Sequence, residues 1–79
     1  MFNLTKETVM RDKATFQYFV MTSVKKQNKV FTLDSILDEF DKLGVDITGY
    51  LVEMVKRELG CLITQGMIKK KSSHYTIIK

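Results

Sequence analysis

The sequence predicts a mainly α fold with a small antiparallel β-sheet (α+β), in the order helix–strand–helix–helix–β-hairpin. Three observations predict it. Apolar residues recur at helical spacing through residues 8–27, 34–43 and 48–65. A short β-rich run, Lys29-Val-Phe-Thr32, separates the first two of these segments. The chain then closes over 67–78 on two strand-like runs around the polar turn Lys69-Lys-Lys-Ser-Ser-His74. Seventy-nine residues with 44% hydrophobic content make one globular domain, 1–79, with no visible repeat or linker. A chain of this size buries only a little over ~60% of the surface its unfolded form exposes, so every element must give an apolar face to one shared core.

Residues 1–7 read as a short flexible lead, with Phe2 and Leu4 able to dock on the body. The first helix is expected over 8–27, capped by Thr5 or Thr8. Val9, Phe16, Phe19, Val20 and Val24 fall on its core side. Met10, Ala14, Tyr18 and Met21 form a second stripe. Two readings fit that stripe: a wide helix face packed on the hairpin and the lead, or a face for self-association. The strand follows at 29–32. Next comes the helix over 34–43, capped by Asp34 or Ser35, with Ile36, Leu37, Phe40 and Leu43 inward. Gly44 sits where a left-handed residue ends a helix. Asp34, Asp38 and Asp41 share a face, but without histidine or cysteine nearby they read as solvated acids rather than a metal site.

The long helix over 48–65 has Asp46 and Thr48 available as caps. Its core face gathers Leu51, Val52, Val55, Leu59, Leu62 and Ile63, centred on Val55. The opposite face carries Gly49, Tyr50, Glu53, Lys56, Arg57, Gly60 and Thr64. Glycine inside a helix costs about 1 kcal/mol relative to alanine, so Gly49 and Gly60 suggest a close backbone approach to something. In the hairpin, Ile68, Tyr75 and Ile77 are the anchors, and Lys69, Lys70, Lys71, Ser72, Ser73 and His74 form the tip.

Charge is segregated along the chain. Residues 1–33 hold six basic and two acidic side chains (+4), 34–48 one basic and five acidic (−4), and 49–79 six basic and two acidic (+4). Such basic blocks suit a polyanionic partner. Only Arg11 and Arg57 among the thirteen basic residues are arginine, which favours phosphate contact over guanine reading. No enzyme is legible: there is one histidine, one cysteine, no phosphate-loop glycine pattern and no metal-ligand spacing, and no cofactor is expected. Cys61 reads as a small buried hydrophobe, and as a lone cysteine it fits a reducing compartment. Met1 to Met10 shows no signal-peptide pattern and no apolar run approaches the ~20 residues of a membrane span, so a soluble cytoplasmic protein is expected.

Gly66-Met67-Ile68, the lysines after it and the closing Tyr75-Thr-Ile-Ile78 resemble the close of a winged helix-turn-helix domain. Together with the strand–helix–helix order before it, the resemblance covers residues of about 10 to 79. It implies a double-stranded DNA-binding protein acting in transcription regulation, with the 48–65 helix in the major groove and the hairpin as the wing. The implied DNA-binding set is Tyr50, Glu53, Lys56, Arg57, Thr64, Lys69, Lys70, Lys71, Ser72 and Ser73. Arg57 is placed to pair with a phosphate or read a guanine, and Glu53 to accept from cytosine or to oppose binding. The three wing lysines fit phosphate contact, or a guard against strand-to-strand association. Winged helices that dimerise through helices outside the reading motif make Met10, Ala14, Tyr18 and Met21 the expected homodimer face. The alternative is a protein-interaction module using the apolar face of the first helix, and an RNA-binding winged helix fits the same residues.

Overall fold

A computed structural model describes residues 4–78. The elements in chain order are α1 (Lys6–Arg11), α2 (Lys13–Lys25), β1 (Val30–Thr32), α3 (Leu33–Lys42), α4 (Gly49–Thr64), β2 (Ile68–Lys71) and β3 (His74–Ile77). The molecule is thus mainly helical with a three-stranded antiparallel sheet, ordered β1-β3-β2.

The single helix expected over 8–27 is two helices joined at Asp12. Asp12 is extended (φ −108°, ψ 121°), and its backbone N–H closes α1 onto the carbonyl of Thr8. Its carboxylate accepts from the backbone N–H of Thr15 at 3.0 Å and from the Thr15 hydroxyl at 2.6 Å, capping α2. An aspartate that bonds its own following backbone competes with helix continuation, which is why the helix breaks here. Of the lead expected over 1–7, residues 1–3, Phe2 included, lie outside the described residues. Leu4 packs on the core and Thr5 caps α1 in a reciprocal pair with Thr8.

The cap of α3 is Thr32, whose hydroxyl accepts from the Ser35 N–H; Asp34 and Ser35 already lie inside the helix. Strand and helix therefore meet without a loop. Gly44 (φ 94°) ends α3 in the left-handed region, as its position suggested. The Gly44 N–H bonds to Asp41 O and the Val45 N–H to Phe40 O, the paired bonds of a Schellman close, and Val45 is buried beside them. Thr48 caps α4 through the Leu51 N–H at 3.1 Å. Gly66 (φ 78°) ends that helix with the same bond pair, Gly66 N–H to Ile63 O and Met67 N–H to Leu62 O.

The core is shared by all of these elements. Phe40 on α3 is fully buried, with its ring 5.3 Å from Phe16 and 4.7 Å from Phe19 of α2. Leu51, Val55, Leu59 and Leu62 make the inner face of α4, whereas Ile63, assigned to that face from the sequence, is 36% exposed at its edge. In the sheet Phe31 pairs with Tyr75 and Ile68 with Ile77. The Phe31 and Tyr75 rings stack at 5.4 Å and 16°. This stack holds the hairpin against the body and fixes where its tip points.

Candidate nucleic-acid interface

The outward side of α4 is built by rotation about Val55, which is fully buried. At 100° per residue, Lys56, Gly60 and Glu53 fall on one flank, Tyr50 and Arg57 on the other, with Thr64 between them. All six are exposed, and Tyr50 is 74% so. The two flanks face different parts of the molecule.

On the first flank Lys56 meets the hairpin. Lys56, Lys70, Ser72, Ser73, Leu33 and Tyr75 line an open groove of about 540 Å³. Lys56 and Lys70 come from consecutive elements, α4 and β2, which the turn at Gly66 brings side by side. Alternation along β2 decides which of the three lysines takes part. Lys70 pairs with buried Tyr75 and its Nζ lies 5.9 Å from the Tyr75 ring centre, while Lys69 and Lys71 project from the other face of the strand. Burial pushes the Tyr75 phenol pKa up, so it stays neutral at the groove wall. The hairpin turns through Ser72 and Ser73, with Ser72 at φ 59°, a left-handed conformation unusual for serine.

Glu53 contacts Lys56 at 3.7 Å, one turn back on α4, with both side chains more than half exposed. A pair this exposed holds the lysine weakly, and a phosphate can displace the carboxylate. Two acids of α3 are turned to the chain's own lysines: Lys42 lies 3.5 Å from both Asp38 and Glu39, and Lys26 is 3.5 Å from Glu39. The Glu39 and Asp38 charges raise the Lys42 pKa, keeping that cation charged. Among the described residues no group of three histidine, cysteine or acidic side chains stands close enough to hold a metal.

On the second flank Tyr50 and Arg57 face α1 and the Asp12 joint, sharing a depression of about 390 Å³ with Met10, Phe16 and Met54. The expected DNA-binding set is therefore split by α4, with Lys56, Lys70, Ser72 and Ser73 together and Tyr50 and Arg57 apart from them. The stripe Met10, Ala14, Tyr18, Met21 is divided too. Met10 and Met21 line the α4 seam, while Ala14 and Tyr18 are exposed and line none of its depressions.

One expectation fails here. Cys61 is exposed, because its position on α4 falls on the Tyr50–Arg57 flank rather than toward Val55. Gly49 and Gly60 do not serve close packing within the chain: a methyl group at either meets nothing within 4 Å. Sequence reasoning also missed Leu33, Tyr75 and Met54 as groove residues. None of the three carried a usable signal, since each depends on a register or a packing contact that residue pattern does not give. Among the described residues no helix is long and apolar enough to cross a membrane. Comparison of the chain with protein-family models, curated proteins and solved structures gives no match.

Proposed function

We propose that this protein is a winged helix that binds double-stranded DNA, with α4 in the major groove and the β2–β3 hairpin as the wing on the flanking backbone. The observation that carries the reading is the open groove lined by Lys56 of α4 and by Lys70, Ser72 and Ser73 of the hairpin. Two ammonium groups and two hydroxyl groups on one open surface are suited to phosphate oxygens. The strand order β1-β3-β2, with α3 and α4 between β1 and the hairpin, is the arrangement a winged helix requires. Regulation of transcription follows as the expected use.

Base reading in this account rests on the other flank, where Arg57 and Tyr50 extend from the exposed side of α4. The lysine bias and the Glu53–Lys56 pair make backbone contact the larger part of the affinity. A two-fold dimer would bring two such surfaces onto adjacent half-sites, and Ala14 and Tyr18 are exposed on α2, outside the reading helix. Fluorescence anisotropy with a mixed-sequence 20-base-pair duplex at low salt tests the function. Saturable binding that Lys56→Ala and Lys70→Ala each weaken is expected; no binding in 20 mM salt would contradict it.

A further inference from the structure

The seam between α2 and α4, away from the wing groove, carries a second surface with its own composition. Three depressions of about 390, 150 and 250 Å³ adjoin along it. The first and second share Gln17, Glu58 and Cys61, and the second and third share Met21 and Leu62, so they follow one another along the seam, with the Gln17–Glu58 hydrogen bond crossing it between the first and second. Four of the chain's five methionines line it: Met10 of α1, Met21 of α2, Met54 of α4 and Met67 just after α4. Each comes from a different segment, and each remains partly exposed. Thioethers on three rotatable bonds adapt their shape to an apolar partner, and surfaces that bind helices of varied sequence use methionine in this way.

Charge marks the ends of the groove. Arg11, Lys13 and Arg57 line the end at the Asp12 joint, and Lys25 lines the other. None of these four takes part in the ion pairs found among the described residues. The two carboxylates on the seam are already engaged: Asp12 caps α2 through Thr15, and Glu58 accepts from the Gln17 amide at 3.4 Å. The seam thus presents adaptable methionines with cations at its two ends and none between them, where Glu58, Gln17 and Gln65 stand among Val20, Met21 and Leu62.

We propose that this groove docks an amphipathic helix of a protein partner, apolar along the side it buries and acidic at both ends. From Tyr50 to Gly66 the α4 axis rises about 24 Å, so a partner helix of about 16 residues spans it. A phosphate backbone needs cations along its length, and here the middle holds a carboxylate, Glu58, and no cation. A second copy laid across the same groove sets basic ends against basic ends in either direction, which costs energy. An acidic helix satisfies both features.

The probe is a synthetic 16-residue helix with leucines at i, i+3, i+4 and i+7 and glutamates at both ends, set against the same stripe with lysine ends. The readout is the methyl spectrum of the full chain carrying ¹³C-methyl methionine. The glutamate-ended helix is expected to move Met10, Met21, Met54 and Met67 saturably, and the lysine-ended helix to bind about tenfold more weakly. Arg57→Glu, a change at an exposed residue, is expected to weaken the first peptide and not the second. Equal affinity for the two peptides, no movement at millimolar peptide, or movement confined to one end of the groove overturns the proposal. So does movement driven by protein concentration alone, which would make the occupant a second copy. Movement of all four methyls by a DNA duplex, with neither peptide binding, would give the groove to nucleic acid and also overturn it. The proposal shares Tyr50 and Arg57 with the flank proposed to read bases, so the peptide titration is made without DNA and its outcome is read apart from that of duplex binding.

Discussion

Asp12 ends one helix with its backbone and begins the next with its side chain, and the hydrogen bonds from Thr15 hold its carboxyl below the ordinary aspartate pKa. A group whose folded pKa is lowered stabilises the fold above its unfolded pKa and loses that contribution as the pH falls through the folded value. Asp12→Ala is therefore expected to lower the Tm at pH 7, with the gap to wild type closing as the pH drops below 3.8, read from melting curves between pH 2 and 7. The break was hidden from periodicity because Val9 and Phe16, seven residues apart, are both buried, so the apolar stripe keeps its phase across the joint. Ser72 carries a different local cost. At φ 59° a side chain is crowded against its own backbone, so Ser72→Gly is expected to gain roughly 0.5–1 kcal/mol in urea unfolding. A loss of stability would show that the serine side chain does more for the hairpin than its strain costs.

Within single elements, α4 was the most legible, since its apolar face, its Thr48 cap and its close before Gly66 all follow from residue pattern. What the pattern did not carry was the identity of the neighbour on each flank; Cys61, by contrast, was misplaced against the helix phase itself, which sets it on the Tyr50–Arg57 flank. Gly60 belongs to the same lesson. It lies inside α4 with open space where a Cβ would stand, so Gly60→Ala is expected to raise stability by about 1 kcal/mol, measured by thermal melting. A neutral or destabilising result would mean that the helix needs glycine there for a backbone reason. In the hairpin the three lysines look equivalent along the sequence. Pairing with β3 separates them, and only a known register could have singled out Lys70.

For the whole molecule, α4 divides the surface into two grooves. The wing groove joins Lys56 to Lys70, and the seam with α2 aligns the methionines. The α+β class and the element order were readable because each element announces itself through local periodicity and turn chemistry. The grooves were not, because they depend on how elements pack, such as β2 against α4, and on the pairing of Phe31 with Tyr75 across β1 and β3. The central claim, that Lys56 and Lys70 act together on a phosphate backbone, is tested most directly by the salt dependence of duplex affinity in two double variants. Each lost phosphate contact flattens the slope of log affinity against log salt by roughly 0.9. Lys56→Ala with Lys70→Ala is expected to flatten it by nearly twice that amount, and Lys69→Ala with Lys71→Ala by clearly less. Equal flattening by the two double variants, or an unchanged slope in the first, would contradict the account.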